Sequence, residues 1–300
     1  MKSAVVFGAS GFLGSWVVRE LVSQQVAVTT VSRVSSPDGP RLDFEADMLD
    51  LELADVCAEA DAIFHLAGTG DVPHSLRDPV GDLRANAETT IAVLDAARRA
   101  AQPPRVILAS SAAVYGESVS VPMTETHRLL PVSPYGVSKL AAEQYLQVFH
   151  RLYGVPAMIV RPFSVYGPGQ HKLVVHDLIN RILDGEAPLR ISAPPDVMRD
   201  FVYVEDVAAA IVGLARDAPA DGEAYNLASG RGTSLRELAD ALLIATGSDA
   251  EAQFISDKAP GNPVHWYGDG AKAAALGITL DTPLGVGLEA TVRWLSALRS

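Results

Sequence analysis

The sequence predicts an α/β fold, a doubly wound parallel sheet with a small C-terminal α/β lobe. Three observations predict it. Apolar strand runs alternate with helical patterns through the first 160 residues, an order that builds a parallel sheet with helices on both faces. A glycine-rich turn, Gly8-Ala9-Ser10-Gly11-Phe12-Leu13-Gly14, joins the first strand to the first helix. After Arg161 the rhythm breaks into short pieces, too fragmented for a fully independent fold.

Composition bounds the answer before any element is assigned. Of the 300 residues, 48% are hydrophobic and 20% charged, enough apolar material for a substantial core. A net charge of −12 argues against a broad nucleic-acid or anionic-membrane footprint. Cys57 is the single cysteine, so no intrachain disulfide or multi-cysteine metal site can form, and no metal is expected. No apolar run reaches the length of a membrane span. Met1-Lys2-Ser3-Ala4-Val5 leads straight into a strand without a signal-peptide pattern, and a cytoplasmic location is the expectation.

Taken in order, Ser3 to Phe7 reads as a buried strand and Trp16, Val17, Leu21 and Val22 mark the helix after the glycine turn. In that context the glycines let backbone approach a pyrophosphate, while the helix N-terminus supplies N–H groups and positive dipole. Val26 to Val31 is the second strand. An NAD site usually carries an acid at its end for the ribose 2′-hydroxyl. Here the strand ends Ser32-Arg33, and Arg33 cannot accept that hydrogen bond. Ser32 and Arg33 suit a 2′-phosphate, which favours NADP(H) over NAD(H). The alternative is an exposed loop arginine, with Asp38 or another group serving NAD.

Asp47-Met48-Leu49-Asp50 is expected to cap a helix beginning near Leu51, with Asp47 also near the adenine. The next strand exits through His65-Leu66-Ala67-Gly68, whose small residues suit backbone lying against a cofactor. His65 reads as structural, since no second histidine stands at metal-ligand spacing. A long helix is expected from Ser75 to Ala101, stopped by Pro103-Pro104. The strand Arg105 to Ala109 leads into Ser110-Ser111, a polar loop runs from Gly116 to Pro134, a helix from Tyr135 to Tyr153 ends at Gly154, and a strand follows at Val155 to Val160. Beyond a Gly/Pro-rich loop at 161–170, helices are expected at 173–184, 205–216, 234–245 and 284–298, with short strands at 189–192, 199–203 and 224–227. Residues 1–165, with a returning segment near 199–227, would form the dinucleotide-binding part. Residues 166–300 would mainly form the substrate lobe, with the site in the crevice between.

The chemistry concentrates in residues 110–139. Tyr135 and Lys139 lie one helical turn apart on one face. An ammonium beside a phenol favours the phenolate, and a phenol tuned that way can act as general acid/base at an alcohol or ketone. Ser111, at a strand's carboxyl end, can hydrogen-bond a substrate oxygen. Alone, the pair reads equally well as a solvated helix face. Its neighbours in the chain change that.

The glycine turn, His65 to Gly68, Ser110 to Gly116, Tyr135 to Lys139, Arg161 to Gly167 and Arg199 to Ala208 stand in one order along the chain. Together they resemble the extended branch of the short-chain dehydrogenase/reductase family, the nucleotide-sugar epimerases, dehydratases and reductases. The resemblance implies a Rossmann-type sheet, a nucleotide-sugar substrate and an NAD(P) cofactor. It implies that Tyr135 is the acid/base, Lys139 its tuner and ribose ligand, and Ser111 the group that binds the reacting oxygen. The cofactor contacts it implies are Gly8, Gly11, Phe12, Leu13, Gly14, Ser32, Arg33, Asp47, Met48, Leu66, Ala67, Tyr135 and Lys139. The substrate contacts are Thr124, Ser164 and Arg199, Arg199 at a position that often meets the diphosphate, unless it pairs with Asp200 or Asp206. A homodimer through helices around 83–100 and 136–152 is also implied.

Departures from the family pattern narrow the reaction. The 4,6-dehydratases carry Thr-Asp-Glu where this chain has Ser111-Ala112-Ala113, and uronic-acid decarboxylases carry a Glu at the Ala113 position. Alanine can do neither job, which leaves hydride transfer at one carbon. Ser164 replaces a common Asn, and Ala259-Pro260-Gly261-Asn262 replaces a tract with a diphosphate-binding Arg, for which Lys258 could substitute. The expected activity is hydride transfer at C-4 of a nucleotide-linked sugar, specifically a 4-ketoreductase. The alternatives are a 4-epimerase that retains NAD+, a reductase of a non-sugar ketone, and a non-catalytic cofactor-binding regulator.

Overall fold

The structure is a computed structural model, and it describes residues 1–37, 39–117, 120–255 and 264–299. Asp38, Lys258 and the tract Ala259 to Asn262 lie outside the described residues, so the roles expected of them are not taken further.

Fourteen strands and eleven α-helices make up the described chain, numbered here in chain order. The first half contains β1 (Ser3–Phe7), α1 (Phe12–Ser23), β2 (Ala27–Ser32), β3 (Phe44–Glu45), α2 (Leu53–Cys57), β4 (Ala62–His65), α3 (Val72–Arg77), α4 (Pro79–Leu83), α5 (Thr89–Arg99), β5 (Arg105–Ala109), α6 (Pro134–Tyr153) and β6 (Ala157–Pro162). The second half contains β7 (Ser164–Tyr166), α7 (Leu173–Leu183), β8 (Leu189–Ile191), β9 (Met198–Arg199), β10 (Phe201–Tyr203), α8 (Val204–Asp217), β11 (Asp221–Leu227), β12 (Thr233–Ser234), α9 (Leu235–Thr246), β13 (Ala252–Phe254), β14 (His265–Trp266), α10 (Ala271–Ala274) and α11 (Leu284–Ala297).

Seven strands form one parallel sheet in the order β11-β6-β5-β4-β1-β2-β3. The order reverses between β1 and β4, which opens a crevice at their carboxyl ends where ligands of such sheets bind. The buried strands carry near-continuous apolar runs because both faces are covered. One face packs Val17, Val18 and Leu21 of α1 against Val207, Ile211 and Leu214 of α8. The other packs Val93, Leu94 and Ala97 of α5 and Ala142 and Leu146 of α6 over Val5, Ile63, Val106 and Ile159. A third cluster joins α7, α9 and α11 around Ile179, Leu238, Leu242 and Leu288. The later strands other than β11 form only small sheets, β7–β10, β9 with β12 and β14, and β8–β13.

Three expected elements differ in detail. The long helix from Ser75 to Ala101 is broken at Asp78-Pro79. Asp78 is extended (φ −135°, ψ 76°) and its side chain accepts from the Gly81 N–H, so it caps α4. Proline disfavours helical backbone at the residue before it, which explains the break. Arg84–Glu88 then forms a π-helical turn before α5. Asp47 caps a 3-10 turn at Met48–Asp50, accepting from the Leu49 N–H at 3.0 Å, and α2 begins only at Leu53. The Tyr135 helix starts one residue early, with Pro134 at its first position and Ser133 capping the Gly136 N–H.

Candidate active site

The turn after β1 is set by close approach. Gly8 has φ +82°, and a Cβ there would lie 2.7 Å from the Ala67 nitrogen at the exit of β4. A Cβ on Gly14 would overlap the Gly8 carbonyl. The turn is thus pressed against both its own helix and the neighbouring strand exit. Gly11, in extended backbone, is the N-cap of α1 and no side chain caps the helix, so its first amides stay open toward the crevice.

Two cavities flank this turn. The larger, about 1590 Å³, is lined by Gly8, Gly11, Phe12, Leu13 and Gly14, by Ser111, Tyr135 and Lys139, and by Ser164 and Arg199. The smaller, about 460 Å³, is lined by Ser32, Arg33, Asp47, Met48, Leu66 and Ala67. Every residue expected to bind cofactor therefore lies on one or the other wall. Thr124 lies on neither. Its hydroxyl faces Thr126 at 2.9 Å and His127 at 3.0 Å in a turn of its own.

Tyr135 and Lys139 emerge from the first turns of α6, are 9% and 6% exposed, and lie on the wall of the larger cavity. Lys139 Nζ donates to the Ala109 carbonyl at 2.9 Å. Burial pulls the Lys139 ammonium down to about 8, opposed by Asp82 and Glu143. Tyr135 departs from expectation. Burial pushes the phenol up, the hydroxyl of Ser111 beside it pulls it down, and Asp82 pushes it up again. The protein's own groups thus favour a neutral phenol, because desolvation of the phenolate outweighs the Ser111 hydrogen bond. Ser111 also caps the 3-10 turn Ala112–Tyr115 by accepting from the Ala113 N–H at 3.1 Å.

Arg199 donates to the Met198 carbonyl at 2.6 Å, and its guanidinium carbon stands 5.6 Å from the Trp266 ring centre. Burial lowers its pKa to about 10. Asp200 accepts from Ser229, Gly230 and Gly268, and Asp206 accepts from Thr282, so both acids have other work. Ser32 is likewise engaged, its Oγ accepting from the Ser10 N–H at 3.0 Å. Arg33 is exposed. His65 is buried against Phe7, its Nε2 3.1 Å from Thr90 Oγ1, a structural position as expected.

A solved structure of a UDP-N-acetylglucosamine 4-epimerase from Methanobrevibacter ruminantium M1, in complex with UDP-N-acetylmuramic acid, superposes with a TM-score of 0.91 at 29% identity, covering 99% of both chains. The family model for the NAD dependent epimerase/dehydratase family matches residues 4–228. This chain belongs to that family. As a member of the NAD-dependent epimerase/dehydratase family it is an enzyme of the extended short-chain dehydrogenase/reductase type, with a nicotinamide cofactor. The UDP-glucose 4-epimerase of Mycolicibacterium smegmatis is 32% identical over 265 residues, 83% of this chain and 84% of that protein. A UDP-glucuronic acid 4-epimerase mutant from Bacillus cereus, in complex with UDP-4-deoxy-4-fluoro-glucuronic acid and NAD, has a TM-score of 0.90 at 28% identity, covering 99% of both chains.

The residues of this family member fit a dinucleotide. The open amides of α1, the close-packed glycine turn and the second cavity beyond it form a continuous cradle. Ser110 Oγ, on the cavity wall and 6% exposed as a residue, is buried without a hydrogen-bond partner among the described residues. Sequence reasoning did not single out Ser110 as a site residue, nor Thr69, Asp82, Asn86 and Ser138, which form a buried polar group beside the Tyr–Lys pair. Partners from separate elements, 13 to 56 residues apart for Asp82 with Thr69 and Ser138, leave no local pattern to find.

Proposed function

We propose that this enzyme is a 4-epimerase of a UDP-linked sugar that keeps NAD+ bound through the cycle. The observation that carries this reading is the lack of acid at the reacting end of the cavity. Asp177 is the one carboxylate among the described residues lining the larger cavity, and it stands on α7, 3.3 Å from Arg181. Ala113 lines the wall near Ser111 and Tyr135, and Ala112 is fully buried. Elimination of water needs an acid and a base at neighbouring carbons. Neither stands beside Ser111. Hydride transfer at a single carbon needs only Ser111, Tyr135 and Lys139.

Between epimerase and ketoreductase, the similar proteins favour the epimerase, and the Bacillus cereus one was crystallised with NAD. The sequence expectation of NADP(H) rested on Ser32 and Arg33 together. The Ser32 Oγ accepts from the Ser10 N–H and keeps its own O–H as a donor. On the neighbour solved with NAD we read the cofactor as NAD(H) and the ketoreductase as the second reading.

When bound, NAD+ supplies a hydride acceptor and donor and a positive charge. Tyr135 would act as the phenolate, its own proton released to solvent once the bound positive charge and the Lys139 ammonium favour that form; it then takes the proton of the sugar C-4 hydroxyl as the hydride leaves that carbon, and returns it when the ketone is reduced on its other face. Ser111 holds the reacting oxygen. Lys139, as an ammonium, holds the ribose and favours the phenolate when it forms. Arg199 and Ser164 serve the nucleotide diphosphate and sugar from the lobe side. Residues 1–165 with a returning segment near 199–227 are read as the dinucleotide part, and the rest mainly as the substrate lobe. The exposed side chains Val80, Leu83, Val137 and Tyr145 on α4 and α6 suit the homodimer interface expected there.

The test is to denature the purified protein and identify what it releases. NAD+ in near-stoichiometric amount supports the proposal. An empty protein that consumes NADPH with a nucleotide-linked 4-ketosugar replaces it with the ketoreductase.

A further inference from the structure

A carboxylate that this chemistry does not use lies beside Tyr135 and Lys139. Asp82, at the end of α4 and just before the π turn, is 0% exposed. Its Oδ2 accepts from Ser138 Oγ at 2.6 Å, and its Oδ1 accepts from Thr69 Oγ1 and from Asn86 Nδ2, the latter at 3.2 Å. All three donors are neutral, and no salt bridge joins Asp82 to a cation among the described residues. A buried carboxylate without compensating charge is costly, and such a group ordinarily neutralises itself or answers a nearby positive charge. Ser138 sits between Tyr135 and Lys139 in α6, and Thr69 is on the wall of the larger cavity.

We propose that Asp82 is a positioning residue for the Tyr135–Lys139 pair: its carboxylate is the fixed counter-charge that keeps Lys139 an ammonium, and through Ser138 it sets the first turns of α6. The proposal rests only on the Tyr–Lys site, which both the epimerase and the ketoreductase readings share.

The charges around Lys139 support it. Burial lowers the lysine to about 8, and Asp82 is the first of two carboxylates that hold it up. The second, Glu143 on α6, is bound at 2.9 and 2.7 Å by both ends of the Arg161 guanidinium, so its charge is already matched. His65 on β4 is kept neutral, pushed down to about 3 by burial and then by the Lys139 ammonium. Tyr135, on the same helix face, is pushed up by burial first and, beyond that, by Asp82. Asp82, whose hydrogen-bond donors are all neutral, is thus the carboxylate left to balance that ammonium. The polar clamp around it explains why a π turn sits here: it turns Asn86 inward onto Asp82, Thr69 and Ser138.

The test needs neither substrate nor dinucleotide, so its failure is separate from failure of the epimerase reading. Unfolding free energy is measured by denaturant from about pH 7 to about pH 10 for the full chain and its variants. Lys139 titrates lower in the folded than in the unfolded chain. Between about 8 and its ordinary 10.5 the unfolded chain binds more protons, so stability from this group rises with pH. Subtracting the Lys139→Met profile isolates that rise. In Asp82→Asn the onset moves clearly below 8; in Ser138→Ala, which keeps the charge, it stays near 8. At pH 7 the double variant Asp82→Asn/Lys139→Met is more stable than Asp82→Asn alone, because the ammonium left without its counter-charge is gone. If Asp82→Asn does not fold but the double variant does, the proposal stands on that rescue. An unmoved onset, additive losses, or a double variant that also fails to fold overturns it.

Discussion

Lys139 donates from Nζ to the carbonyl oxygen of Ala109 at 2.9 Å, which ties the acid/base helix α6 to the last residue of β5, immediately before Ser110 and Ser111. The serine strand and the tyrosine helix are thereby held as one unit. Replacing Lys139 with Met removes both this tie and the ammonium. Turnover is expected to fall by about 100-fold or more. Stability at pH 7 is expected to fall by about 3–5 kcal/mol, because the buried Asp82 carboxylate is left without its counter-charge. Steady-state rates and denaturant midpoints on the same preparation check both.

The Gly8 backbone is the second point of strain. With φ +82° and Ala67 backbone 2.7 Å from any added Cβ, Gly8→Ala must open the gap between β1 and β4. The expected result is a loss of about 1–3 kcal/mol in stability and at least about tenfold weaker dinucleotide binding. Urea melts and NADH fluorescence titration read the two effects.

The buried pair Glu143–Arg161, 0% and 3% exposed, joins α6 to β6 and passes from Arg161 to the Tyr115 hydroxyl at 2.9 Å and from that hydroxyl to Asn226 at 2.7 Å. Arg161→Met leaves Glu143 without its cation. A destabilisation of about 3–5 kcal/mol is expected, and Glu143→Leu in the same chain recovers part of it. A double variant no more stable than Arg161→Met would contradict this account of the pair.

Arg33 decides the cofactor question from the other side. It is exposed at the rim of the smaller cavity, next to Ser32. Arg33→Ala is expected to leave NAD(H) affinity within about twofold and to weaken NADP(H) by about tenfold or more. Equal loss for both dinucleotides would show that Arg33 contacts the shared diphosphate or adenosine.

Much of this was legible in the chain because it is local. Glycine spacing, the apolar strand runs and the four-residue step from Tyr135 to Lys139 each depend on residues close in sequence, and the cavities gather them. The break at Asp78-Pro79 is legible too, since a proline disfavours helical backbone at the residue before it. The raised pKa of Tyr135 is not legible in the chain: spacing reveals the lysine one turn on, while the burial that pushes the phenol up comes from the whole fold. Asp82 was hidden for a similar reason. In sequence it is one acid in a polar helix, and only the return of Ser138 across 56 residues turns it into a buried charge.

The central claim is that this protein inverts a sugar at C-4 with a cofactor it carries. The most direct measurement is proton NMR of UDP-glucose, UDP-N-acetylglucosamine and UDP-glucuronic acid, each mixed with purified protein and no added dinucleotide. The expected result is conversion of at least one to its C-4 epimer with no net change in NADH absorbance, abolished in Tyr135→Phe. No conversion of any of the three, together with stoichiometric NADPH consumption when a nucleotide-linked 4-ketosugar is supplied, would contradict it.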